Sequence, residues 1–293
     1  VSRHVVIVVI VYALGFVAFW PRGIVVIDEC DYINAAKTFA DGKTTQAATD
    51  ALSGTTTRVL PSSYPPGTSA LAAPLVGLFG VRAAPLVSLF SFCVLGLLLA
   101  RWLALEGRSP IFALLFLGYL PAVALGRVAM SDVPSALVVC AAQLLLFRSA
   151  PREGRAAAIR GSFAAGLLAG LSLVFRETNA LFLVPLFIGA IARREGRSYA
   201  LVSGAMIGVA VRLVAAAVVF GNPFFTDGHR GWSFHDFGSH VFLYLVALLI
   251  LAPLGFAAGL AYRGDRRAEI IATVLLSFFS SQRSATTPAK AGA

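Results

Sequence analysis

Apolar residues run along this chain in blocks long enough to cross, or nearly cross, a hydrocarbon layer, and short polar links separate them. With a window suited to a layer about 30 Å thick, the blocks fall near residues 4–20, 83–103, 110–126, 133–147, 161–175, 180–192, 199–220, 241–262 and 268–279. The pattern predicts eight membrane helices and a short ninth. Several blocks fall below the roughly 17 residues a straight span requires. Those are tilted, extend into their flanks or are partly re-entrant, the last being tolerated only where protein or water covers the backbone. The first block has a basic lead, Arg3 and His4, and runs into Phe19-Trp20-Pro21-Arg22 without a small-residue cleavage site, which predicts a retained signal anchor.

Composition sharpens this picture. Of 293 residues, 58% are hydrophobic and 13% charged, against roughly 45–50% and 25% in soluble domains. With a mean hydropathy of +0.82, one core cannot hide so much apolar surface, so much of it is expected to face lipid. The formal charge of +10 is distributed as a topology signal. Arg101, Arg108, Arg148, Arg152, Arg155, Arg160, Arg193, Arg194, Arg197, Arg263, Arg266 and Arg267 fall in alternate links, which predicts that these are cytoplasmic, as is the N-terminus. The opposite links hold nine of the fourteen acidic residues, so acidic chemistry is expected outside the cytoplasm. No basic patch is left over for nucleic acid. Cys30, Cys93 and Cys140 lack metal-ligand spacing, and His229, His235 and His240 lack any specific ligand motif, so no metal residue is assigned.

Apart from Glu269 at the edge of the short ninth block, the membrane blocks contain no Asp or Glu, whereas ion-coupled transporters usually need a carboxylate or a broken helix near the midplane. Arg212 is the charged residue farthest from the ends of its block; it either snorkels to the outer surface or points into an outward cavity. The first outward loop, residues 21–69, is too long for a connector. Over 28–42, Tyr32, Ile33, Ala36, Phe39 and Ala40 fall at helical spacing before Gly42, which predicts an interfacial amphipathic helix. Its start would carry Asp28 and Glu29, either as helix-start acids or as a reactive pair.

Residues 43–60, rich in Thr, Ala, Ser and Gly, are expected to form a mobile loop carrying Arg58. Ser62-Ser63-Tyr64-Pro65-Pro66-Gly67-Thr68 reads as a helix entrance, with Tyr64 also placed to hold a sugar ring. A short outward loop puts Arg127 and Asp132 at one lip, both within reach of the first loop; the bland alternatives are an interfacial anchor and an N-cap. At the next outward tip Arg176 stands beside Glu177, which would neutralise it, and Asn179 is a further N-cap candidate. The loop at 221–237 mixes aromatic and polar residues, as either a saccharide-stacking surface or an aromatic belt does.

In this order, Asp28-Glu29 with Tyr32 and Ala36, Tyr64-Pro65-Pro66-Gly67, Arg127-Val-Ala-Met-Ser-Asp132-Val-Pro134, Gly170-Leu-Ser-Leu-Val-Phe-Arg176-Glu177-Thr-Asn-Ala180 and Gly221-Asn222-Pro223 resemble the GT-C superfamily of polytopic glycosyltransferases. The resemblance is to the branch with the protein O-mannosyltransferases and the lipid A aminoarabinose transferase, and covers about residues 1–240. It implies an all-α multi-pass bundle in the cell membrane over residues 1–280, with an extracytoplasmic active site. The implied activity is single-step inverting transfer of a sugar from a polyprenyl-phosphate donor to a glycan, lipid or protein acceptor.

On that resemblance Asp28 is the base, Glu29 positions base or acceptor, and Asp132 completes the acidic site. Arg176, Arg127, Arg58 and Arg212 are candidates for the donor phosphate, with Tyr64 for the sugar. Some relatives bind a divalent cation through carboxylates, but no ligand is assigned here. Two other classes stay open: a transporter or flippase, and an inactive scaffold of GT-C descent. Residues 281–293 have a disordered composition. Many relatives extend further, so the expected explanations are a compact variant, a truncated product or one part of a complex.

Overall fold

The computed structural model describes residues 2–24, 26–49, 54–148, 154–180, 183–184 and 196–224, and the chain is mostly helical. Most of the expected block at 180–192, the blocks at 241–262 and 268–279, nearly all of the 221–237 loop with its histidines, and the polar tail lie outside the described residues. The chain divides into two compact units, one of Val1–Glu177 with Phe187–Thr226 and one of Thr178–Leu186 with Asp227–Ala293.

The first unit contains α1 (Arg3–Ala18), α2 (Ile27–Ala40), β1 (Gln46–Thr49), β2 (Thr56–Val59), α3 (Gly67–Phe79), α4 (Leu86–Leu105), α5 (Ala113–Leu117), α6 (Leu120–Leu125), α7 (Asp132–Arg148), α8 (Arg155–Leu171) and α9 (Gly196–Phe220). Among the described residues, three helical stretches are long and apolar enough to cross a membrane, by length and composition: Val81–Leu105, Ala156–Val174 and Gly196–Phe220. α1, α3 and the first part of α7 are apolar but shorter. On α1, Val5, Val9 and Phe16 are buried while Ile7, Ile10, Val11, Leu14 and Val17 are exposed on another face. A helix apolar on every side is at home only where its outer face meets a non-aqueous surrounding.

The expected block at 110–126 is a broken segment. A 3-10 turn at Pro110–Phe112 leads into α5, the helix stops at Gly118, and α6 restarts with Pro121 in its first turn. Proline has no N–H to extend the preceding ladder, and it suits a new first turn. Around this break Phe92 of α4 is fully buried, with Tyr12 at 4.4 Å and Phe116 at 5.0 Å between ring centroids.

The first loop is built rather than loose. α2 begins at Ile27, has Asp28 and Glu29 in its first turn and Lys37 in its last, and ends before Gly42, whose φ of 70° suits a residue without a side chain. The expected helix is present, but its apolar face is covered by protein: Ala36, with Ile33 and Ala40, packs on Ala72, Val76 and Leu75 of α3 and on Ala129. The expected mobile loop at 43–60 contains an antiparallel hairpin, Gln46 opposite Val59 and Thr49 opposite Thr56. Its β-branched residues, Thr49, Thr56, Thr57 and Val59, favour the extended backbone over a loop.

α8 and α9 pack with almost nothing between them. A methyl group on Gly166 would strike Leu201 O, one on Gly170 would strike Ala205 O, one on Gly204 would strike Phe163 O, and one on Gly208 would come within 2.5 Å of Leu171 N. Two glycines four apart on each helix let the backbones approach to direct contact.

Candidate functional site

The start of α2 meets the segment before α7, about a hundred residues away in sequence, through two hydrogen bonds. Glu29 is 2% exposed, and its Oε1 accepts the Ala129 N–H at 2.9 Å. One helical turn on, the Tyr32 hydroxyl donates to Ser131 Oγ at 2.9 Å. Burial pushes the Tyr32 phenol above its ordinary range, so it stays protonated and serves as a donor. The Tyr32 carbonyl in turn accepts Ser69 Oγ of α3 at 3.0 Å. Glu29, Tyr32 and Ala36 share the inward face of α2 because they recur at three- and four-residue spacing.

Tyr64 completes this corner. Its ring stacks on Tyr32 with centroids 5.0 Å apart and planes 19° from parallel, and Ser62 Oγ takes its N–H at 3.0 Å. Pro65 and Pro66 then set the chain into α3, whose first residue must be small, because a Cβ on Gly67 would lie 2.7 Å from Val174 O. The entrance to α3 is thereby pressed against the chain that leads to Arg176.

Two ion pairs extend the corner. Arg176 pairs with Asp132, the first residue of α7, and Arg212 of α9 pairs with Glu177. Arg212 also donates to Pro223 O at 2.8 Å. The pairings differ from the expected neutralisation of Arg176 by its neighbour Glu177: the two consecutive side chains engage different helices. Asp132 is the first residue of α7 rather than the expected N-cap, a position that falls to Ser131, and is also a charged partner. Ser131 precedes it, and the Ser131 carbonyl accepts the Ser135 N–H at 2.9 Å to open α7.

Asp28 is the second residue of α2, half-buried, and makes no hydrogen bond or ion pair among the described residues; the N-cap position belongs to Val26, without a side-chain cap. Capping thus does not account for the Asp28 carboxylate. Arg127 is turned to the end of α1, where it donates to Phe19 O and lies over the Phe16 ring at 5.5 Å. It satisfies a carbonyl that the helix end leaves open. Arg58 is exposed on β2.

The structure therefore brings together Glu29, Tyr32, Tyr64, Ser131, Asp132 and Arg176, and links Arg212 to them through Glu177. Ser69 and Ser131 were not among the residues expected from sequence. Their signal was position, since each stands at or just inside a helix start, where small hydroxyl side chains find backbone partners.

Among the described residues, no three His, Cys, Asp or Glu side chains gather as a metal ion would require. The Asp132 carboxylate faces Arg176, and Glu29 Oε1 accepts a backbone N–H. No residue is assigned to a divalent cation. Comparison with known proteins gives no match: no family model, curated protein or solved structure aligns with this chain.

Proposed function

We propose that this chain is a multi-pass membrane glycosyltransferase of GT-C type, which moves a sugar from a polyprenyl-phosphate donor to an acceptor hydroxyl on the extracytoplasmic side. The observation that carries this reading is the convergence of α2, the 129–132 segment and Arg176 into one polar corner of an otherwise apolar helical chain. A lipid-linked donor needs that combination: apolar helices for its tail, positive charge for its phosphate, and a carboxylate for the incoming hydroxyl.

In this reading Asp28 takes the proton of the acceptor hydroxyl as its oxygen attacks the anomeric carbon. The carbon–oxygen bond to the phosphate breaks, the electron pair leaves with the polyprenyl phosphate, and the anomeric configuration inverts. Glu29 contributes by position: its bond to Ala129 N fixes the first turn of α2, and hence Asp28, against the segment before α7. Arg176 stabilises the charge that develops on the leaving phosphate. Tyr64 lends an aromatic face to the sugar. Arg212, clasped by Glu177 and Pro223 O, supports the Arg176 tip rather than reaching the phosphate itself.

The test is release of polyprenyl phosphate and glycosylation of an acceptor by purified protein supplied with lipid-linked sugars. Asp28→Asn is expected to lower turnover at least about 100-fold, the lower range for a positioned base, with an unchanged thermal transition. Normal turnover in that variant removes the base. Mass spectrometry of lipid-linked sugars and envelope glycans, with and without the gene, names the donor.

One observation favours a transporter instead, the interruption between α5 and α6, since transporters bind substrates at broken helices. Passage of an unchanged substrate across liposomes would select that reading.

A further inference from the structure

The two ion pairs at the corner are unequal. Arg212 and Glu177 are 11% and 13% exposed, and Arg212 has a further backbone bond to Pro223 O. Arg176 and Asp132 are 25% and 28% exposed. An enclosed pair keeps its partners, because parting them strands a charge away from water. A more open pair loses less when its partners separate, because water and other ions can take a partner's place.

The Asp132 carboxylate also fills a position suited to an anion for two separate reasons. The Arg176 guanidinium faces it, and it belongs to the first turn of a 17-residue helix, whose open N–H groups carry partial positive charge. Starting a helix explains an aspartate at this place. It does not explain an arginine held there from 44 residues further along the chain.

We infer that the Asp132 carboxylate is an internal substitute for a phosphate group: Arg176 exchanges Asp132 for the phosphate of a membrane lipid when that ligand arrives, and takes Asp132 back when it leaves. The identity of the lipid as a polyprenyl phosphate rests on the glycosyl-transfer reading. Guanidinium binds carboxylate and phosphate through the same two-pronged fork, so the exchange needs no rebuilding of the arginine. A sugar phosphodiester carries one negative charge, whereas the released phosphomonoester carries about 1.5 to 2 near neutral pH. The product thus holds Arg176 more strongly than the donor does, and the return of Asp132 opposes its retention. Asp132 acts here as a competitor, so removing its charge strengthens binding, the opposite of what loss of a binding residue does.

The test is a titration of the full chain, in nanodiscs of phosphatidylcholine, with a short-chain polyprenyl phosphate. Asp132→Asn and Asp132→Ser both retain side chains compatible with a helix start. Each is expected to tighten binding about tenfold, equivalent to about 1.4 kcal/mol. Arg176→Gln is expected to weaken it below wild type, and Asp132→Asn combined with Arg176→Gln to show no gain.

Unchanged or weaker binding in the Asp132 variants overturns the inference, as does a gain that survives Arg176→Gln. Failure of both Asp132 variants to fold also overturns it, by making the residue purely structural. Parallel titrations with inorganic phosphate, and with nanodiscs containing phosphatidylglycerol, separate the sources; a gain confined to either overturns the polyprenyl assignment. Sugar transfer is not read in these titrations. The exchange stands if the Asp132 variants bind more tightly in a chain that transfers nothing, and falls if transfer proceeds while they bind like wild type.

Discussion

The α8/α9 contact and the corner around Tyr32 are held in opposite ways. Between α8 and α9 the fit comes from what is missing: four glycines bring backbone against backbone, and dispersion contacts accumulate where the two chains touch. At the corner the fit comes from individual polar bonds, Glu29 to Ala129, Tyr32 to Ser131 and Arg176 to Asp132, each made by a side chain. The first arrangement tolerates no addition and offers nothing to a ligand. The second includes one partly open pair, Arg176 with Asp132, and the proposed chemistry belongs there.

The comparison breaks most visibly at the glycines. Gly204→Val puts branched carbons into Phe163 O and Leu167 N, and is expected to cost at least about 3 kcal/mol, the upper range for overpacking. The measurement is thermal unfolding of the full chain in detergent; an unchanged transition would mean the two helices are free to part. A smaller effect is expected at the corner. Glu29→Ala strands the buried Ala129 N–H and should cost about 1–3 kcal/mol, while Glu29→Gln, which keeps an acceptor, should cost less than half as much in the same melt. Equal losses would assign the role of Glu29 to its charge rather than to this bond. The smallest effect belongs to Arg58→Gln on the exposed hairpin, expected to leave stability within about 0.5 kcal/mol.

The parts of the fold that repeat locally were legible. The period of Tyr32, Ile33, Ala36 and Phe39 forecast α2 to within a few residues, because a helix that buries one face writes its period into the sequence. What covers that face was not written there: α3 and Ala129 take the place that a membrane surface was expected to fill. The hairpin at 46–59 was missed because its residues alternate weakly, although its threonines carried the strand preference.

At the site, the adjacency of Arg176 and Glu177 invited a local pairing. Neighbours in sequence do not face one another along a helix or turn, and their real partners, Asp132 and Arg212, depend on how distant segments pack. Asp28, Glu29, Asp132, Tyr64 and Arg176 stood out as residue types. Their bonds, and the serines that complete them, required the folded chain.

Arg176 and Glu177 are joined by one peptide unit, yet one clasps the head of α7 and the other grips α9. That unit is therefore a crossbar between two helices, and letting go at one end does not set the other adrift. When Asp132 releases its arginine, the bar stays pinned at Arg212, so the freed guanidinium swings about a fixed pivot instead of wandering with its backbone.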